Sequence, residues 1–182
     1  PAGAVRLLPD VAGKKELYTG DRVFSTATLK MGRGNSGKLV TEVKKAMLKA
    51  APPCELAIVD GSPGIGCPVI ASVNGMDLVL VVAEPSGSGI SDLKRLCATA
   101  ATLQVQLAVC VNKYDVSPQH TECIETFCRQ QGIAFVGKIP FDPMAVRAVN
   151  EGTTVVDIDC PAGRAVREIF AKLTALLAER SI

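Results

Sequence analysis

The sequence contains no tryptophan, and only 4% of its 182 residues are aromatic. This scarcity argues against a surface on which nucleic-acid bases stack. Charge gives the same indication, because 20 basic and 18 acidic residues leave a net charge of only +2. Nucleic-acid-binding domains usually concentrate positive charge on one face. We therefore expect no nucleic-acid partner.

Long apolar runs are also missing. A membrane-spanning helix needs about 20 consecutive, mainly apolar residues, and the most apolar stretch, Leu78–Ala83, is much shorter. The sequence therefore predicts no transmembrane segment. Its hydrophobic content of 48% instead suits a globular domain with a substantial core.

The seven cysteines form no Cys-x-x-Cys pair. Disulfide frameworks and metal sites usually show an even count or a characteristic spacing. We therefore expect neither of these within the chain, and a reducing, cytoplasmic compartment. The single histidine, His120, falls in the first turn of a predicted helix and suggests no catalytic base.

Apolar strands and helices alternate from Leu56 onward, after a predicted hairpin around Gly20 and a helix capped by Ser36. Apolar strands separated by helices are typical of a parallel sheet covered on both faces. The pattern therefore predicts an α/β fold with a mostly parallel sheet and helices on both faces. The predicted strands are 56–59, 78–83, 107–111, 134–139 and 155–158; the later helices begin at Cys67, at caps Ser88, Ser117 and Asp142, and near Val166.

Ligands of such sheets bind beyond the carboxyl ends of the strands, so the residues that follow each strand carry the functional argument. Asp60 follows the strand 56–59 and has the form of a Walker B aspartate, which holds Mg²⁺ or its bound water beside a nucleotide. In the adjoining Gly61-Ser62-Pro63-Gly64, a glycine lets a backbone N–H approach a γ-phosphate closely. The alternative is an ordinary turn with a capping aspartate.

Asn112-Lys113-Tyr114-Asp115 follows the third of these strands and matches N-K-x-D, the base-reading motif of GTP-binding proteins. In that motif the aspartate accepts from guanine and the lysine stem packs on the base. An asparagine at this place can equally bind an adenine edge, and the whole segment can also be a polar turn. After the next predicted strand, 134–139, the backbone at Pro140 could cover the other side of a base. Asp142 in the same loop could be only a helix cap.

Gly32-Arg33-Gly34-Asn35-Ser36-Gly37-Lys38 matches the phosphate-binding pattern G-x-x-x-x-G-K. Leu39 stands where a Ser or Thr should bind Mg²⁺, and the preceding segment is more polar than a central strand. We therefore interpret this stretch as a glycine-rich loop before a helix.

Val59-Asp60-Gly61-Ser62-Pro63-Gly64-Ile65-Gly66-Cys67-Pro68 resembles the switch II segment of MinD-superfamily P-loop ATPases that carry an inserted ferredoxin domain. Glu84-Pro85, Asn112–Asp115 and Ile139–Pro143 follow in the order of that family, and the resemblance covers roughly residues 16–157. It implies a P-loop NTPase fold of the SIMIBI type. The ParA proteins and the cobyrinic acid a,c-diamide synthase group (CobQ/CbiA) are further relatives of this superfamily.

The resemblance also implies a domain layout. Residues 1–35 would be a connector after an iron–sulfur insert, and residues 36–182 the C-terminal portion of the ATPase domain. Pro1–Val5 resembles the continuation of the family's last cluster motif. The P-loop strand and the [4Fe–4S] ligands would then lie upstream, none of them within this chain, and the chain alone would be inactive.

The implied activity is ATP hydrolysis with Mg²⁺ by a homodimer, coupled to iron–sulfur or electron-transfer work with a redox or iron–sulfur partner protein. Asp60 and Gly64 would be catalytic, and Asp60 would also hold Mg²⁺ through water. The implied nucleotide-binding residues are Gly61, Ser62, Pro63, Asn112, Lys113, Asp115, Pro140 and Asp142. Two alternatives stay open: a GTPase that uses Asn112–Asp115, and a non-catalytic protein-interaction domain.

Overall fold

The computed structural model describes residues 11–179. It divides into two compact units, the first ending at Val73 and the second beginning at Asn74. The proposed cluster-motif continuation at Pro1–Val5 lies outside the described residues. No helix in the described part of the chain is long and apolar enough to cross a membrane.

The first unit begins with the predicted hairpin. Strands β1 (Gly13–Tyr18) and β2 (Phe24–Leu29) are antiparallel. Tyr18 lies opposite Phe24 beside the turn, and their ring centroids are 6.0 Å apart. Cross-strand aromatic pairs of this kind stabilise a hairpin and its register, so the hairpin predicted around Gly20 is confirmed.

Helix α1 (Ser36–Ala50) is also confirmed, but its predicted cap is wrong. Asn35 is the N-cap, with a left-handed φ of 72°, and Ser36 is already the first helical residue. Asparagine tolerates this conformation better than most residues, because its short polar side chain can bond to the local backbone.

The predicted strand at Leu56–Val59 is wrong. These residues precede helix α2 (Cys67–Val73) without pairing to any strand that the structure describes. Ile58 is 75% exposed. A strand is stabilised by hydrogen bonds to a neighbour, and a short apolar run does not reveal whether that neighbour is present.

The second unit contains the predicted parallel sheet, in the order β3-β4-β5. The strands are β3 (Leu78–Ala83), β4 (Gln106–Asn112) and β5 (Ala134–Ile139). The connecting and flanking helices are α3 (Gly87–Thr102), α4 (Pro118–Gln131), α5 (Pro143–Asn150) and α6 (Pro161–Ala178). The α/β class and the parallel strands are confirmed.

Both faces of the sheet carry a core, because neighbouring residues of β4 face opposite sides. Val109 and Val111 pack with Leu93 of α3 and Ile124 of α4. The other core contains Ala108 and Cys110 of β4, Val136 of β5 and Ile169 of α6. Burial raises the pKa of the Cys110 thiol to about 11, so this cysteine is a core residue rather than a nucleophile.

The predicted strand at Val155–Ile158 is wrong, because residues Val155–Asp157 form a single 3-10 turn. Thr154 and Asp157 form a reciprocal capping box around this turn. Such a box satisfies amides that a strand would have offered to a neighbour. The local polar pair therefore overrides the apolar run between its members.

Candidate functional site

Three loops of the second unit meet at the carboxyl edge of the sheet. In the parallel register Ala83 pairs with Val111, and Asn112 pairs with Ile139. The loops after β3, β4 and β5 therefore begin at the same level. The structure brings together the predicted segments 84–89, 112–115 and 140–143, and we call them the edge loops.

Side-chain contacts join the edge loops directly. Lys113 Nζ donates to Glu84 Oε1 at 2.9 Å. Asp115 Oδ1 accepts from the backbone N–H of Phe141 at 2.8 Å. Neither contact was predicted, because the partners are 29 and 26 residues apart in the sequence.

The central edge loop, residues 112–115, is also contacted by α4 and β5. The buried Thr121 hydroxyl of α4 donates to the Tyr114 carbonyl at 2.9 Å. Lys138 Nζ lies 5.6 Å from the centroid of the Tyr114 ring, within the range of a cation–π contact. Tyr114 is therefore contacted at its backbone carbonyl and at its ring.

Asn112 lies at the end of β4 and is partly buried. Its side chain makes no hydrogen bond to any other described residue. A carboxamide offers both a donor and an acceptor, so it can pair with the matching groups on the edge of a nucleotide base.

The first of the edge loops leads into α3, and the cap predicted for this helix is wrong by two residues. Ser86, not Ser88, caps the helix, and its hydroxyl accepts from the Gly89 N–H at 3.0 Å. A Cβ on Gly89 would lie 2.3 Å from the Glu84 carbonyl oxygen. The glycine is therefore required where the helix start folds back on the end of β3.

Asp142 is confirmed as the cap of α5, and its carboxylate also reaches α6. Oδ1 accepts from the Met144 N–H at 3.0 Å, and Oδ2 accepts from the Ala162 N–H at 3.1 Å. Hydrogen bonds from these two amides hold the pKa of the Asp142 carboxyl below its usual range. Both oxygens of this predicted nucleotide-binding residue therefore bond to the backbone.

This capping predicts a pH effect on stability. Because the pKa of Asp142 is lower in the folded chain than in the unfolded chain, its stabilisation is complete above the unfolded value of about 4. It is lost as the pH falls from there through the folded pKa. We expect Asp142→Asn to lower the urea midpoint at pH 7, and we expect the difference from wild type to shrink toward pH 3.

The exposed Asp92 of α3 provides the control for this experiment, since Asp92→Asn should move the midpoint little at either pH. Asp157, whose pKa is also lowered by its bonds to Thr154, titrates in the same range. Comparing variant with wild type at each pH removes its contribution. If the difference in urea midpoint between Asp142→Asn and wild type stays constant with pH, the ionised Asp142 carboxylate is not the stabilising group.

In the first unit, the switch-like loop after Leu56–Val59 is open to solvent. Asp60, Gly61, Ser62, Pro63 and Gly64 are all exposed. Gly64 has a left-handed φ of 89°, which glycine adopts without strain. An exposed carboxylate beside a glycine-rich turn fits Mg²⁺, an ion that keeps several waters and takes one or two protein carboxylates.

Of the glycine-rich stretch Gly32–Lys38, residues 36–38 form the start of α1, where Gly37 packs closely against α2. A Cβ on Gly37 would lie 3.0 Å from the carbonyl oxygen of Cys67, at the start of α2. Lys44 of α1 donates to the carbonyls of Ala71 and Ser72 at 2.9 and 3.1 Å. Desolvation lowers the pKa of Lys44. The sequence did not indicate this role of Lys44, because its partners lie 27 and 28 residues away and no local motif includes it.

Other chemistry is limited in the described part of the chain. Between residues 11 and 179, no group of three His, Cys, Asp or Glu side chains could hold a metal ion. His120 Nδ1 lies 2.8 Å from the Ser117 hydroxyl at the start of α4. That contact belongs to the beginning of the helix.

No family model matches the chain. It is 30% identical over 158 residues to a protein of Pyrococcus furiosus named iron–sulfur cluster carrier protein, covering 79% of this chain and 54% of that protein. It is 33% identical over 126 residues to an uncharacterized ATP-binding protein of Methanocaldococcus jannaschii, covering 65% of this chain and 46% of that protein.

The fold resembles the MinD cell division protein of Aquifex aeolicus, with a TM-score of 0.58 and 23% identity over 77% of this chain and 59% of that one. The chain spans about half the length of the curated relatives it matches. The chain therefore has a MinD-like P-loop NTPase fold, and by sequence it is related to proteins named iron–sulfur cluster carrier protein and ATP-binding protein.

Proposed function

We propose that this chain is part of a MinD-type ATPase that binds ATP with Mg²⁺ and couples hydrolysis to iron–sulfur or electron-transfer work. The observation that carries the proposal is the joining of the three edge loops at the carboxyl edge of the parallel sheet. Ligands of open α/β sheets bind at this edge. The names of the relatives, ATP-binding protein and iron–sulfur cluster carrier, agree with that chemistry.

In this proposal, some of the predicted site residues contact the base and others contact the metal ion and the phosphates. In the second unit, Asn112 and the backbone at Pro140 contact adenine. In the first unit, Asp60 would hold Mg²⁺ through a water molecule, and the Gly64 N–H contacts the γ-phosphate. Bound Mg²⁺ would neutralise charge on the phosphates. Gly61, Ser62 and Pro63 shape the loop that carries these groups.

The proposal also concerns the longer protein. We propose that it is a cytoplasmic homodimer with a redox or iron–sulfur partner, in which residues 1–35 connect an iron–sulfur insert to the ATPase portion 36–182. A P-loop strand supplied from outside this chain belongs to the same proposal. Between residues 11 and 179 no set of ligands for a [4Fe–4S] cluster converges, so none of the steps proposed for this chain uses a cluster.

Nucleotide competition tests the proposal on the full-length protein that contains this chain. ATP should displace a fluorescent ATP analogue at least about tenfold better than GTP, because a site that hydrogen-bonds one base rejects another that leaves its polar groups unpaired. Asn112→Ala should weaken ATP binding by about tenfold. The exposed Asn150→Ala is the matched control and should bind ATP normally.

The alternative functions predict different results in the same assay. Preference for GTP would favour the GTPase, which rests on the N-K-x-D pattern of Asn112–Asp115. Displacement by neither nucleotide would favour a protein-interaction domain.

A further inference from the structure

The central edge loop directs its two charged side chains to the loops on either side. Lys113 donates to Glu84 after β3, and Asp115 accepts from the Phe141 N–H after β5. Since β4 lies between β3 and β5 in the sheet, the two contacts form a continuous link across all three loops. This differs from a base-reading motif, in which both side chains would engage the base.

The backbone supports the same arrangement. Lys113 has a left-handed φ of 54°, an uncommon conformation for a residue with a side chain. Such a conformation persists where the surroundings hold it and is concentrated at functional sites. Here the Lys113 carbonyl accepts from the Val116 N–H at 3.0 Å, the Lys113 side chain contacts Glu84, and the Thr121 hydroxyl bonds to the carbonyl of the next residue, Tyr114.

The Phe141 contact determines what the β5–α5 loop can offer a base. Proline has no N–H, so Pro140 cannot donate, and the N–H of Phe141 already bonds to Asp115. The backbone at these two positions is therefore left with carbonyl acceptors. Adenine carries an amino donor at C6, whereas guanine carries a carbonyl acceptor there. Carbonyls in this loop would attract the first group and repel the second.

We propose that Asp115 is a positioning residue that determines specificity for adenine. The Asp115 carboxylate accepts the hydrogen bond from the Phe141 N–H and so orients the backbone at Pro140–Phe141. The carbonyl oxygens of this backbone then face the C6 amino group of adenine. Asp115 itself does not touch the base. This inference rests on the proposed function, in which the edge loops bind ATP.

The contact can be tested without nucleotide. In the NMR spectrum of the chain, amide hydrogen exchange at Phe141 should be at least about threefold faster in Asp115→Ala than in wild type, because the acceptor is lost. Asp115→Asn keeps an acceptor oxygen and should exchange within about twofold of wild type. The exposed Asp92→Ala serves as control. Unchanged exchange in Asp115→Ala would overturn the proposal.

The specificity can be tested in the full-length protein. Asp115→Ala should raise the KM for ATP by about threefold to tenfold with kcat nearly unchanged, and Asp115→Asn should restore it. The Asp115→Asn variant should bind neither GTP nor xanthosine triphosphate (XTP) more tightly than the wild-type protein does. If Asp115 instead read guanine, Asn would offer its donor to xanthine, so XTP binding would rise and GTP binding would fall. That exchange of preference would overturn the proposal.

Two outcomes distinguish the positioning role of Asp115 from the proposed function. If the unmodified protein binds no nucleotide, the proposed function fails, whatever the Phe141 amide shows. If it binds ATP but Asp115→Ala binds ATP equally well, the positioning role alone fails.

Discussion

Asp60→Ala in the full-length protein should lower the Mg²⁺-dependent rate of ATP hydrolysis by about tenfold or more, because a metal-positioning carboxylate stabilises charge that develops in the transition state. Asp60 is exposed and follows the segment Leu56–Val59, which pairs with none of the strands in the described part of the chain. Its removal should therefore leave the thermal unfolding of the protein almost unchanged. The measurement is phosphate release at saturating ATP across a range of Mg²⁺ concentrations.

Two companion variants make this experiment specific. Asp21→Ala removes another exposed carboxylate of the same unit, from the hairpin turn, and should hydrolyse ATP at the wild-type rate. Asp60→Asn keeps the shape without the charge and should still show a clear loss. Wild-type turnover in Asp60→Ala would remove Asp60 from the site.

Gly163→Ala should strongly destabilise the second unit. Its Cβ would lie 2.4 Å from the Val155 carbonyl oxygen and 2.8 Å from the Ile158 carbonyl oxygen. Both neighbours are backbone atoms of the 3-10 turn and its end, so they cannot move aside as the tip of a side chain can. Overpacking of this kind costs about 1–3 kcal/mol or more.

Urea denaturation gives the free energy of unfolding for this comparison. Gly87→Ala is the matched control, because a Cβ at this first residue of α3 meets no atom within 4 Å. Alanine there should be neutral or slightly stabilising, since it reduces the entropy of the unfolded chain. If the two variants unfold at the same urea concentration, α6 does not pack against the turn as described.

The parallel sheet was predictable because each of its strands carries its own signal. Leu78–Ala83 is a run of six apolar residues, and Ala134–Ile139 is a mainly apolar segment of six residues that contains Lys138. The bounds of both strands in the structure match the prediction. Leu56–Val59 and Val155–Ile158 are only four residues long. A run of that length fits a strand, a turn or an extended segment equally well, so its neighbours decide its structure.

For the functional residues, the sequence indicated their positions after the strands but not their contacts. The sequence indicated that Asn112–Asp115 and Pro140–Asp142 follow strands, and a parallel sheet brings such segments to one edge. It did not indicate that Lys113 would bond to Glu84, or that Asp115 would bond to the Phe141 backbone. Both contacts join loops that lie on adjacent strands but far apart in the chain, so no local spacing marks them.

By itself, therefore, the sequence determined the α/β class, the positions of strands β3 to β5 along the chain and the segments that could touch a nucleotide. These depend on hydrophobic runs, caps and turn residues, which act over a few neighbouring positions. Only the tertiary structure decided which partners those segments use. It joined Asp115 to Phe141, placed both Asp142 oxygens on helix amides and left Leu56–Val59 without a partner among the strands described between residues 11 and 179. Such choices depend on distances between residues that are remote in the chain, and these distances exist only once the sheet and its helices have packed.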